Sequence, residues 1–205
     1  MNTNANSPAR RGRPGNDRRD VILVAVSLFN QHGYEATSVG MIADRLGVSK
    51  SAIYHHVSSK EELLSAALDR ALSALEATLD TIDHSAERDH VANLERIIRA
   101  TVDVLVEEIE PVTLLLRLRG NTELERAALG RRREFDRAVA GLVRDADDAG
   151  ALRADLEPRA ATRLIFGMIN SITEWYHPNG PLNADSLGDL VVGLVFGGLL
   201  PRAVK

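Results

Sequence analysis

One stretch constrains the fold more than any other: Thr37 to Leu64, TSVGMIADRLGVSKSAIYHHVSSKEELL. Thr37 or Ser38 is placed to cap a first helix over Val39 to Leu46, because a hydroxyl there accepts a hydrogen bond from an otherwise unpaired early N–H. Val39, Ile42, Ala43 and Leu46 recur at spacings of three and four and so share one side. Gly47 ends this helix, since glycine takes the left-handed conformation without a steric penalty. Ser49 caps a second helix over Lys50 to His56. There Ile53 and Val57 face inward at the i, i+4 spacing, while Lys50, Ser51, Tyr54 and His55 stay outside. A third helix opens at Ser59, and Ser59 and Glu62 have the S-x-x-E spacing of a capping box.

Two short helices around a glycine-containing turn, with a polar outer face on the second, match the helix-turn-helix DNA-binding unit. On that reading Lys50, Ser51 and Tyr54 face base edges. Thr37, Ser49, His55 and Lys60 hold phosphates, and Ser38 belongs to the same DNA-binding set. Lys60 lies in a first turn, where free N–H groups, the helix dipole and an ammonium converge on an anion. Tyr54 has a second reading, as a ring packed inside the head.

Residues 33–64 resemble the DNA-binding signature of TetR-type one-component repressors. The matching pieces are Gly33-Tyr34, Thr37, Ile42-Ala43, Gly47-Val48-Ser49, Ile53-Tyr54-His55-His56 and Ser59-Lys60-Glu61-Glu62-Leu63. The likeness extends from Val21 to about Leu68. Val57 stands where that family usually has phenylalanine, Ser51 where it has glycine, and Gly40 where a charged residue is common.

The rest of the chain also reads as helix. Apolar stripes mark helices over about Arg18 to His32, Lys60 to Asp83, Val91 to Glu108, Val112 to Leu118 (after an interruption at Pro111), a charged run to Asp148, Pro158 to Tyr176, and Ala184 to Leu200. Thr122 and Glu125 have capping-box spacing. No segment reads as a convincing strand, so the expected fold is all-α with about nine helices. Residues 1–16 form a basic arm, 17–64 a helix-turn-helix head, and 65–205 the ligand-binding and dimerisation domain that the resemblance implies.

Charge supports this division. Residues 1–60 hold eight Lys/Arg and four Asp/Glu, a net of +4, while the remainder holds 17 and 25, a net of −8. A positive head on a negative body points to double-stranded DNA at the head only. The arm segment Arg10-Arg11-Gly12-Arg13-Pro14 fits a narrow minor groove through Arg10, Arg11 and Arg13. The same residues also suit a solvated tail with non-specific phosphate attraction. There is no cysteine, signal-peptide pattern or apolar run long enough for a bilayer, so a cytoplasmic location without membrane contact is expected.

In the body, Ile98, Thr101, Leu105, Leu116, Arg117, Met168, Ile172, Trp175 and Tyr176 are the candidate ligand-pocket residues. Arg117, Arg119, Arg131, Arg132, Arg133 and Arg137 suit an anionic head group. Alternatively they are solvated, with Glu123, Glu134 and Asp136 as near neighbours. Trp175 to Leu182, WYHPNGPL, resembles a W-Y-x-P-x-G-x-L segment of TetR-type regulators that sense acyl-CoA thioesters, which implies a hydrophobic acyl-CoA effector. The last two helices are unusually apolar and carry glycines. Leu164, Gly167, Leu190, Leu194 and Gly197 are therefore expected at a homodimer interface. No cofactor or metal is expected, and the catalytic motifs H-E-x-x-H and G-x-S-x-G are absent, so the chain does not read as an enzyme. The expected function is a ligand-released repressor on a palindromic operator. The alternative is an architectural DNA binder with no effector.

Overall fold

Local capping decides where most helices begin. In the computed structural model, which describes residues 17–85 and 88–199, Asp17 and Asp20 exchange side chain-to-backbone hydrogen bonds in a reciprocal capping box and start α1 (Arg18–His32). Ser38 caps α2 (Val39–Leu46) and Ser49 caps α3 (Lys50–Tyr54), each through its hydroxyl to the N–H three residues on. Gly47 closes α2 at φ 68°, in the left-handed region. α3 ends two residues sooner than its apolar spacing predicts. His55 and His56 instead close tight i→i+3 bonds to Ala52 and Ile53.

Downstream lie α4 (Lys60–Thr78), a 3₁₀ turn at Leu79–Thr81, α5 (His90–Glu107), α6 (Ile109–Arg117), α7 (Glu123–Asp148), α8 (Pro158–Trp175) and α9 (Ala184–Leu199). No strand occurs among the described residues. The chain divides into two compact units, one ending at Leu63 and one beginning at Leu64, and α4 runs through the boundary.

In the first unit α1 packs on α2 and α2 on α3. Val21, Ala25, Phe29, Ile42, Ile53 and Leu63 are almost wholly buried there. In the second unit α5 is central, lying along α9 and against α6, α7 and α8. Its inward stripe is Leu94, Ile97, Ile98, Val102 and Leu105.

Three local expectations are corrected. Pro111 does not interrupt the chain before α6. It lies in the first turn, where its missing N–H costs nothing because that turn has no intrahelical acceptor. Glu62 bonds not to the Ser59 N–H but to the Ser58 N–H (2.7 Å) and hydroxyl (2.8 Å). Glu125 likewise reaches past Thr122 to the N–H groups of Gly120 and Asn121. In both, the capping hydroxyl still accepts the N–H three residues on, and the carboxylate ties down the incoming chain as well.

The left-handed turn at Gly47 leaves open space where a Cβ would stand, so backbone strain alone sets the cost of a side chain there. Gly47→Ala should destabilise the protein by about 1 kcal/mol, and Gly47→Asn by less. Chemical denaturation of the two variants checks the order.

Candidate DNA-reading head and effector cleft

The head separates residues that hold it together from residues that face out. Thr37 is only 2% exposed, and its hydroxyl donates to the carbonyls of Leu28 (3.2 Å) and Gly33 (2.8 Å). The phosphate role expected for Thr37 is therefore corrected: buried and bonded to the end of α1, it sets the angle at which α2 leaves. Lys60 is also engaged inside the head. Its ammonium donates to the Tyr34 carbonyl (2.9 Å) and more weakly to that of Glu35 (3.5 Å), and it lies 4.2 Å from the Tyr34 ring centre. Tyr34 in turn meets Phe29 edge-on at 5.2 Å. Lys60 thus pins the α1–α2 corner to the start of α4, which leaves it less donor capacity for a phosphate.

The outward set is Ser38, Ser49, Lys50, Ser51, Tyr54 and His55, all exposed. The Tyr54 ring is 53% exposed, which removes its reading as a packed core ring. Lys50 lies across α2: a Cβ at Gly40 would come within 2.8 Å of Lys50 Cε. The glycine where a charge is usual therefore leaves room for this side chain. Arg10, Arg11 and Arg13 lie outside the described residues.

The body holds an arginine-rich cleft between α7 and α8, with a volume of about 540 Å³. Arg132, Arg133 and Arg137 approach from α7, and Arg159 and Arg163 from α8; Phe166, Ala140 and Gly167 supply apolar surface. Arg137 lies 3.7 Å from Glu134. Among the described residues the other four arginines form no ion pair. Asp136, in the same wall, is held above the usual carboxylate range by burial, against the opposing pull of Arg132. A second cavity of about 30 Å³ lies inside the body and shares Arg132, Asp136, Phe166 and Asn170 with the cleft. A third recess of about 350 Å³, next to Arg117 and Thr173, also touches Arg132 and Asn170.

Of the residues expected at a ligand pocket, Thr101, Leu105 and Leu116 line the inner cavity, and Leu116 and Arg117 the third recess. Ile98, Met168, Ile172, Trp175 and Tyr176 line none of the three. Ile98, Ile172 and Tyr176 are buried in the core, whereas Trp175 is half-exposed. Arg131 departs from its expected local partners. It makes a two-point contact with Glu76 (2.8 Å twice), reaches Asp69 at 2.6 Å, and lies 3.4 Å from the Ser73 hydroxyl, all on α4. Arg159, Arg163, Phe166 and Asn170 escaped sequence reasoning. Their signal is the i, i+4 spacing of 159 with 163 and of 166 with 170, which runs beside the apolar stripe of α8.

The family model for bacterial regulatory proteins of the tetR family matches residues 21–67, and that for the tetracyclin repressor-like C-terminal domain matches residues 87–199. The chain belongs to the TetR family. It is accordingly a DNA-binding transcription regulator and not an enzyme. A TetR-family member from Streptomyces coelicolor A3, SCO3833, is 50% identical at a TM-score of 0.78, over 88% of this chain and 91% of that one. The HTH-type transcriptional repressor KstR2 of Mycobacterium tuberculosis H37Rv is 28% identical, covering 94% of this chain and 98% of its own. AibR, solved in complex with isovaleryl coenzyme A and operator DNA, is 25% identical at a TM-score of 0.72, over 88% of this chain and 98% of that one. No described helix is long and apolar enough to cross a membrane.

Glu62 gives the head a testable acid dependence. Hydrogen bonds from the Ser58 backbone and hydroxyl, then the guanidinium of Arg18 at 3.1 Å, lower its pKa to about 2. Because the folded value lies below the unfolded one, the ionised carboxylate favours folding above about pH 4.5, and the benefit is lost as pH falls toward 2. Glu62→Gln should therefore melt at a lower temperature than the parent at pH 7, with the gap narrowing below about pH 4.5 and closing only below about pH 2. Melting curves across that range decide this; a gap that persists in acid excludes the charge as its cause.

Proposed function

We propose that this protein is a transcriptional repressor that binds a palindromic operator as a homodimer and is released by a CoA thioester. The observation that carries the effector is the cleft between α7 and α8, where five arginines meet an apolar wall. CoA carries a diphosphate and a further phosphate at one end and a hydrophobic acyl group at the other. Guanidinium groups suit the first through paired, charge-assisted hydrogen bonds. The repressor name of KstR2 and the CoA complex of AibR support the same reading.

The homodimer rests on two faces that the chain leaves uncovered. Leu164 is 73% exposed on α8, and Leu194 is 68% exposed on α9 beside Leu190. Gly167 and Gly197 have no atom within 4 Å of where a Cβ would stand, so another helix can approach closely. A second copy covers such a surface by two-fold symmetry and spaces two recognition helices for half-sites about 34 Å apart, or a multiple of it. Gly167 belongs both to this face and to the cleft rim. An effector in the cleft therefore lies beside the dimer contact and favours one dimer geometry over another. Release requires that it bind the released geometry more tightly than the operator-bound one. In the head, Lys50, Ser51 and Tyr54 read base edges, and Ser38, Ser49 and His55 position the backbone.

Fluorescence anisotropy on the protein's own upstream DNA, at fixed salt with CoA thioesters and their free acids, tests the effector. Release by a thioester but not by its acid is expected. Arg159→Glu with Arg163→Glu should abolish that release while operator affinity stays within about twofold, because neither arginine is in the head. Operator binding untouched by every thioester removes the effector and favours an architectural binder. Separately, Leu194→Glu should give a monomer by light scattering and weaken operator binding by at least about tenfold, since two linked half-sites reinforce each other. A dimer that survives this change would place the interface elsewhere.

A further inference from the structure

Gly40 is a glycine with no backbone reason to be one. It lies in the first turn of α2, and its φ is not positive, unlike those of Gly33, Gly47, Gly120 and Gly150. Inside a helix, glycine is less stable than alanine, because it gives up more chain freedom on folding and adds no side chain to pack. Gly40 is nonetheless buried. The three atoms nearest the point where its Cβ would stand are Lys50 Cε at 2.8 Å, Lys50 Nζ at 3.2 Å and the Ser38 hydroxyl oxygen at 3.4 Å. The two closest belong to one side chain, that of the first residue of α3.

Lys50 is exposed and yet has a seat. Its backbone belongs to α3, while its Cε and Nζ lie over the backbone of α2. A lysine stem laid along a neighbouring surface keeps its ammonium in water while giving up rotamers. Among the described residues that ammonium makes no hydrogen bond, so its three donors are free for an acceptor outside the protein. A methyl group on residue 40 would stand 2.8 Å from Cε, well inside ordinary carbon–carbon contact, and the lysine would swing away. Only the far end of a flexible chain has to move. Alanine at position 40 therefore leaves the fold intact and removes the seat of Lys50.

We propose that Gly40 is a specificity-determining position: the room it leaves seats Lys50 against the start of α2, and this seat fixes which base pair the ammonium meets when α3 enters the major groove. This rests on the base-reading role given to Lys50 above and names what aims it. A lysine free to sweep its whole reach meets acceptors on neighbouring base pairs alike, since guanine, adenine and thymine all present them in the major groove, and so discriminates poorly. A stem held on α2 confines the ammonium to a narrower arc. It also leaves less rotamer freedom to lose on binding. Gly40 touches no base in this arrangement; it acts through Lys50.

The test compares the full-length parent with Gly40→Ala, Lys50→Ala and the double variant. Each selects sites from a randomised duplex library, and anisotropy at fixed salt then gives Kd on the parent's selected site and on its single base-pair changes. Lys50→Ala should lose discrimination by at least about fivefold at the base pairs Lys50 meets. Gly40→Ala should lose about threefold or more at those same base pairs. Its binding to random DNA should be unchanged, and its melting temperature equal to or above the parent's. In the double variant the two losses should not add, because one acts through the other. A second reading needs no variant: NMR of the free parent should show a nuclear Overhauser contact between the Lys50 ε-methylene and the Gly40 α-protons. Parent-like discrimination by Gly40→Ala, additive losses, or a missing Overhauser contact overturns the proposal, while Lys50 remains a base reader. Undiminished discrimination by Lys50→Ala removes the base-reading role, and this inference with it.

Discussion

One guanidinium ties two helices of the second unit together. Arg131 of α7 holds Asp69, Ser73 and Glu76, successive positions along one side of α4. The carboxylates keep Arg131 charged, and Arg131 in turn holds Glu76 below the usual carboxylate range. Isolated exposed ion pairs add little stability, and these groups are partly exposed. The two-point contact with Glu76 adds something else, because a planar fork fixes direction as well as distance. It ties one position of α7 to three positions along one side of α4. The neighbouring Arg132 touches all three recesses of the body. One turn of α7 thus holds α4 and also lines the recesses of the body. A shift of α7 by a ligand would reach α4 through that grip, which is the physical content of coupling between two sites.

Most of the head's outward side chains are spared from holding it together, with Ser38 and Ser49, which cap α2 and α3, as the exceptions. Thr37 joins α1 to the start of α2, Lys60 and Tyr34 join the α1–α2 corner to α4, and Glu62 gathers Ser58 and Arg18. Each spends its polar atoms inside the head. Lys50, Ser51 and Tyr54 on α3, and His55 just after it, are left exposed. Division of labour of this kind lets the outward positions vary while the scaffold stays fixed. It also explains why two residues expected on DNA, Thr37 and Lys60, have an architectural duty: a Thr or Lys at the corner of a helix pair is as useful to the fold as to a phosphate.

The helices were legible because their causes are local. Caps at Asp17, Ser38, Ser49 and Thr122, left-handed glycines at Gly33 and Gly47, and Pro158 in a first turn are all read from a few adjacent residues. The short α3, the upstream reach of Glu62 and Glu125, and the tolerance of Pro111 were less legible. Each depends on which of several nearby backbone groups a side chain meets. The pocket was the least legible. Thr101 and Leu105 reached a recess because they sit on the inward stripe of α5, while half-buried Leu116 and exposed Arg117 line one from the end of α6. Trp175 and Tyr176, the most conspicuous candidates, lie at the end of α8, away from all three spaces.

Sequence alone therefore determined the all-helical character, the head and its outward face, and the apolar stripes, because i, i+3 and i, i+4 periodicity and capping act within a few residues. Tertiary structure decided which arginines meet. Arg132 and Arg133 come from α7, and Arg159 and Arg163 from α8, across a gap in sequence that no periodicity spans. It also decided that Arg131 pairs with α4 and not with its own helix, since a guanidinium responds to the carboxylates in reach once the helices have packed, whatever their separation along the chain.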